Sequence, residues 1–177
     1  YDIMFEYVAD AIHEYKIPYG NEHGGLVDLH DEIMDKLLEF SDAQTCANAA
    51  STVLSTNVID TQDARDIGQG QPIYLVIAIE TAVTSDGAAT VQFRLRSDSV
   101  AAIHATTSTA HVDTGAIPKA TLVAGYRQVI PLPMGVAYER FLGVQHIVAA
   151  ATTTAGTYNA FITLDPTGWT AYADATN

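Results

Sequence analysis

The sequence predicts an all-β protein: a jelly-roll-like antiparallel β-sandwich over residues 41–177, preceded by an acidic N-terminal helical arm or αα-hairpin over residues 1–40. Three observations carry this. From Ser41 onward Thr, Ala, Val and Gly dominate, helical periodicity vanishes, and short β-type runs recur between turn residues. Before Ser41 the apolar residues fall instead at helical spacing. The charge divides at the same place: residues 1–40 hold ten Asp/Glu against two Lys, a net of -8, and the remainder holds eleven acids against six bases, a net of -5.

In the arm, Met4, Tyr7, Val8, Ala11, Ile12 and Tyr15 recur at intervals of three and four and predict a helix over residues 2–16. Pro18 and Gly20 stop it, and Asn21-Glu22-His23-Gly24-Gly25 has turn chemistry. A second stripe follows in Leu26, Leu29, Ile33, Leu37 and Phe40. Two helices this short do not bury their stripes alone, so the arm packs on the domain body or on another chain.

The sandwich is organised around Asn57–Thr84. Pro72–Ile79 is the longest apolar run in the chain, and its length and β-branched content predict a strand buried on both faces. Further strands are expected at Val58–Asp60, Ile73–Val83, Thr90–Arg96, Val112–Ile117, Gln128–Leu132, Phe141–Ala149 and Tyr158–Leu164. In Val91-Gln92-Phe93-Arg94-Leu95-Arg96 apolar and polar residues alternate cleanly. Seven or eight such strands make a sandwich or jelly roll, and without long intervening helices a parallel α/β sheet is excluded. Ser85-Asp86-Gly87 is expected to close a hairpin, and Pro131 and Pro133 to lie at a strand end or sheet edge.

Composition sets limits. About half of the 177 residues are hydrophobic, enough for a real core. A net charge of -13 repels phosphate backbones, so sequence-independent nucleic-acid binding is not expected. The single cysteine, Cys46, excludes an intramolecular disulfide framework and a Cys-based metal cluster. No segment approaches the ~18 consecutive apolar residues of a membrane span, and no signal peptide with a basic start is visible. A soluble protein made in a cytoplasm is the expectation.

The residues that bear chemistry are scattered. Asp60, Asp63 and Asp66 are spaced by three but lack the alternate-position ligands and closing Glu of a calcium loop, so they read as solvated acids and caps, with Arg65 free to pair with one. His104, His111 and His146 lack the His-x-His pair of a cupin-type site; the first two read as loop residues and the third as mid-strand. In the arm, His13, His23, His30 and the run Asp28-Leu29-His30-Asp31 read as solvated. There is no nucleophile elbow, no base beside Cys46, and no phosphate-binding loop, Gly68-Gln69-Gly70 being a tight turn. No cofactor, metal or catalytic residue is assigned. Exposed tyrosines such as Tyr126, Tyr138 and Tyr158 leave a carbohydrate-binding module as the alternative, with a metal-dependent jelly-roll enzyme behind it.

Several phrases occur in a fixed order: Ser55–Asp60, Ala64–Leu75, Thr121–Tyr126, Ile130–Pro133, Glu139–Leu142, and Thr154-Ala155-Gly156 leading into Leu164-Asp165. Together they resemble the capsid cement (decoration) proteins of tailed bacteriophages, of the type first recognised in a Bordetella phage, over about residues 34–172. The resemblance implies a non-enzymatic jelly roll on the outer face of an icosahedral capsid, made in the host cytoplasm. Its implied partners are the major capsid protein and itself, as a homodimer or homotrimer, with no nucleic acid and no membrane. It clamps neighbouring capsid subunits and says nothing about residues 1–33. Within this reading Arg65, Asp66, Gly68 and Gly70 form a shaped loop that either braces the sandwich or touches a neighbouring subunit, with bracing favoured.

Overall fold

The structure, a computed structural model, describes residues 36–68 and 70–166. The expected helix over 2–16, its turn, the second stripe up to residue 35 and the arm histidines lie outside the described residues. From Lys36 the chain departs from the expected helix. Lys36–Leu38 form one 3-10 turn, and Glu39–Thr45 (β1) is a strand. Phe40 leaves the helical stripe because its ring belongs to the sandwich core, where it is fully buried.

The other strands are Ser51–Leu54 (β2), Ile59–Asp60 (β3), Tyr74–Thr84 (β4), Thr90–Asp98 (β5), Thr109–Asp113 (β6), Ile117–Pro118 (β7), Arg127–Pro131 (β8), Phe141–Ala149 (β9) and Ala155–Thr163 (β10). All strand pairings among the described residues are antiparallel. One sheet has the order β1-β10-β4-β8 and the other β2-β9-β5-β6, with β3 added to β9 and β7 to β5.

Both sheets contribute to one core. Leu75, Ile77 and Ile79 of β4 and Tyr158, Ala160 and Ile162 of β10 come from the first; Val91, Phe93 and Leu95 of β5 and Leu142, Val144 and Val148 of β9 come from the second. The alternation expected in β5 is realised, its odd residues from 91 to 95 entering the core. β4 is buried on both faces: Leu75 to Ile79 are at most 2% exposed without interruption. Fully burying one such side chain is worth roughly 1.5–3 kcal/mol.

The turn at Ser85-Asp86-Gly87 differs from the hairpin expected. β4 and β5 lie in different sheets, so this segment arches from one layer to the other. The Ser85 hydroxyl ties the arch down by donating to the Thr152 carbonyl at 2.6 Å. Pro131 ends β8, an edge strand, where its missing N–H costs no ladder bond. The expected strand Val112–Ile117 divides into β6 and β7, each paired with β5.

The layers are also joined by a polar network. His146 of β9 is fully buried; its Nδ1 lies 3.0 Å from the Tyr158 hydroxyl of β10 and its Nε2 lies 3.0 Å from Asn48 Nδ2. With the Asn48 amide donating to Nε2, the proton sits on Nδ1 and is donated to Tyr158. The Tyr158 hydroxyl donates in turn to Gln44 Oε1 at 3.2 Å, and Gln44 Nε2 donates to the Leu54 carbonyl at 2.9 Å. Burial pushes the His146 pKa down to about 4, so the ring is neutral at pH 7.

Candidate contact end of the sandwich

The Ala64–Gly70 loop leaves β3 and feeds β4. Arg65 forms a two-bond backbone bridge with Tyr138, each N–H donating to the other's carbonyl at 3.0 Å. The Asp66 carboxylate accepts the Gly135 N–H at 3.1 Å. Gly68 and Gly70 both have φ near +80°, and the Gln71 N–H closes a turn onto the Gly68 carbonyl at 3.2 Å. A Cβ on Gly68 would lie 3.0 Å from the Gln71 carbonyl oxygen, whereas Gly70 faces open space. Main-chain atoms and Asp66 thus tie this loop to the 133–140 segment, while the Arg65 side chain is exposed.

Arg65, Asp66 and Gly68 stand on the rim of an open cleft of about 570 Å³, floored by Ile59, Ile67, Ile73, Leu142 and Ile162 and flanked by Leu37, Leu38 and Leu164. Gly70 lies outside it. The pairings Asp60↔Phe141, Asp98↔Phe141 and Tyr74↔Thr163 put the cleft, the 99–108 connection and the 133–140 segment at one end of the sandwich. Seven large hydrophobics are conspicuously exposed among the described residues. Five of them, Leu37, Leu38, Val100, Met134 and Leu164, belong to this end. Periodicity assigned Leu37 to a helical stripe and Leu164 to a strand end, and it did not mark Val100 or Met134, each of which sits alone in a connection.

The titratable residues do not converge. Asp60 takes a bidentate bond from Arg140, Nε and Nη2 each at 2.8 Å, which holds its carboxyl down at about 2. Asp66 is committed to Gly135, and no ion pair among the described residues includes Arg65. His104 lies in an exposed loop with Nδ1 2.8 Å from Asp98. His111 is in β6 rather than in that loop, half-buried, its ring 4.1 Å from that of Tyr138 and its Nε2 2.7 Å from the Ser97 hydroxyl. Burial lowers its pKa. The three histidines therefore have three separate environments, and no group of three His, Cys, Asp or Glu side chains among the described residues has metal-binding geometry. Cys46 is buried, and desolvation pushes its thiol up to about 12, so it is a core residue without thiolate character.

The tyrosine expectation needs correction. Tyr138 and Tyr158 are fully buried, because each hydroxyl has an internal acceptor: Tyr138 donates to the Pro133 carbonyl at 2.7 Å and Tyr158 to Gln44. Neither ring is available to stack on a sugar.

Five exposed large hydrophobics thus share one end of an antiparallel sandwich with the Asp60–Arg140 and Asp98–His104 pairs. The described residues make an all-β protein. The chain matches the Bbp16 family over residues 40–162 and belongs to that family, a family of Bordetella phage proteins. No curated protein matches it.

Proposed function

We propose that this protein is a non-enzymatic decoration protein of a tailed-phage head, bound on the outer capsid surface and clamping adjacent major-capsid subunits together. Membership in a phage protein family carries the reading. The strand order supports it. With the two-residue strands β3 and β7 set aside, the eight remaining strands run first-eighth-third-sixth in one sheet and second-seventh-fourth-fifth in the other. We read this order as the two interleaved Greek keys of a jelly roll, a fold common in capsid proteins. A sandwich that spends its polar side chains on bracing and keeps apolar ones exposed at one end suits repeated, individually weak contacts on a symmetric shell.

On this reading the protein is made in the host cytoplasm, associates as a symmetric homodimer or homotrimer, and takes the major capsid protein as its partner, without cofactor, nucleic acid or membrane. The test is add-back to purified heads that lack it. Saturating protein raises the temperature and the osmotic shock at which heads release DNA. Heads that open at the same temperature with and without bound protein would refute the role.

A further inference from the structure

The connection from β5 to β6 is longer than its register requires. Ser97 pairs with Thr109, a spacing that a short hairpin turn closes, yet Ser99–Ser108 spends ten residues. These residues fold back over the outer face of the β5/β9 sheet and are pinned there by two charged side chains of β5. The Asp98 carboxylate accepts the His104 N–H at 3.0 Å and His104 Nδ1 at 2.8 Å. Arg96, only 7% exposed, sends Nη1 to the Ser108 hydroxyl at 2.9 Å and the Ser108 carbonyl at 3.1 Å. Among the described residues Arg96 has no carboxylate within ion-pair distance, and its buried Nε has no acceptor.

A third fastening is apolar. Ile103 is buried against Gly143, the β9 residue opposite Arg96, where a Cβ would stand 2.7 Å from Ile103 Cδ1. A buried cation without a counter-charge and a glycine inside a central strand are both costly for stability alone. What they produce is an ordered Ω-type loop presenting Val100, Ala101, Ala102, Ala105, Thr106 and Thr107 to solvent. In a strongly acidic chain, the stretch from Ser99 to Ala110 carries no Asp, Glu, Lys or Arg. Its surface complements an uncharged partner rather than a basic one. Ordering it in advance removes the entropy cost that a floppy loop would meet on binding.

We infer that Ser99–Ser108 is a preformed docking element that seats Val100 and its alanine neighbours in an uncharged, apolar depression on the assembled capsid. The inference rests on the decoration role proposed above. Arg96, Asp98 and Gly143 act as positioning residues. The experiment is co-sedimentation of the full chain with purified heads lacking it. Val100→Asp and Ala102→Asp each weaken binding at least about tenfold at unchanged melting temperature, since either buries a carboxylate without a partner. Val123→Asp, at the opposite end of the sandwich, binds as wild type. Arg96→Met weakens binding by releasing the loop; should that variant fail to fold, Ser108→Ala removes one of the same contacts and gives the same readout. Wild-type binding by both Val100→Asp and Ala102→Asp would overturn the inference, as would equal loss in Val123→Asp. Heads that do not retain the wild-type protein at all would instead overturn the decoration role.

Discussion

Acidification should weaken this protein well above the pH at which its carboxylates protonate, and His146 is the cause. In the fold its imidazole lies against Tyr158 and Asn48, opposite Phe93 in the β5/β9 register, and burial lowers its pKa from 6.5 to about 4. In the unfolded chain it returns to the ordinary value. Between those two values the unfolded state binds a proton that the folded state refuses, so stability falls as pH falls. The contribution is fully present above pH ~6.5 and lost progressively down to about 4. Lowering the pKa from 6.5 to about 4 corresponds to about 3 kcal/mol, a large fraction of the ~5–15 kcal/mol typical of a domain. The geometry supplies the reason: protonation puts a second N–H on the ring, aimed at the Asn48 amide hydrogens, and relief requires that amide to flip.

Urea unfolding followed by far-UV circular dichroism, repeated at several pH values from neutral to mildly acidic, measures the slope. His146→Gln lowers stability at neutral pH but flattens that slope. His111, whose pKa is also lowered by burial, contributes with the same sign and persists in the variant, so the difference between the two proteins isolates His146. An unchanged slope in His146→Gln, or an NMR titration placing the His146 pKa near 6.5 in the folded protein, would refute the argument.

Other substitutions separate bracing from contact. Arg65→Ala leaves the backbone bridge to Tyr138 intact and should not move the melting temperature, whereas Asp66→Ala, which orphans the Gly135 N–H, costs about 1 kcal/mol in chemical denaturation. Gly156→Ala places a Cβ 2.9 Å from the Val83 backbone at φ +131° and should cost about 2–4 kcal/mol, visible as a melting temperature several degrees lower. Tyr158→Phe removes the hydroxyl between His146 and Gln44 and costs roughly 1–3 kcal/mol by urea titration. Asp98, held down at about 2 by the N–H groups and ring of His104 and by the Ser99 and Val100 amides, adds a separate loss of stability below pH ~3.8, which Asp98→Asn abolishes.

The strands legible in the sequence were those whose burial pattern obeys a period of two or fills a continuous apolar run. β4, β5, β9 and β10 satisfy one or the other, and their observed limits lie close to the expected ones. β1 was hidden by its irregularity. Its register slips between Ser41 and Gln44, Ala43 sits at φ +45°, and the alternation that marks a strand is broken at that bulge. β2 is a short edge strand, Ser-Thr-Val-Leu, with too few residues to carry a pattern. The arch at Ser85–Gly87 looked like a hairpin because turn chemistry reports that the chain reverses, not which layer it rejoins. Tyr138 and Tyr158 were misplaced because aromatic content does not reveal whether a hydroxyl finds an internal acceptor.

The Asn57–Thr84 stretch posed bracing and contact as alternatives for the Ala64–Gly70 loop, and the two fall on different atoms. Bracing belongs to the Arg65 main chain and to Asp66, which reach the 133–140 segment, while the φ-positive Gly68 and Gly70 shape the turn into β4. The Arg65 guanidinium turns outward beside the apolar cleft, where an exposed cation adds little to folding. The loop at Ser99–Ser108 repeats the arrangement with its partners exchanged: side chains of β5 hold its backbone, and its own small side chains face solvent. Both loops meet at the end of the sandwich where five of the seven exposed large hydrophobics lie. Loops tied down by hydrogen bonds beside the exposed Leu38, Val100, Met134 and Leu164 are what the proposed docking at that end calls for, since a preformed surface loses less entropy on binding.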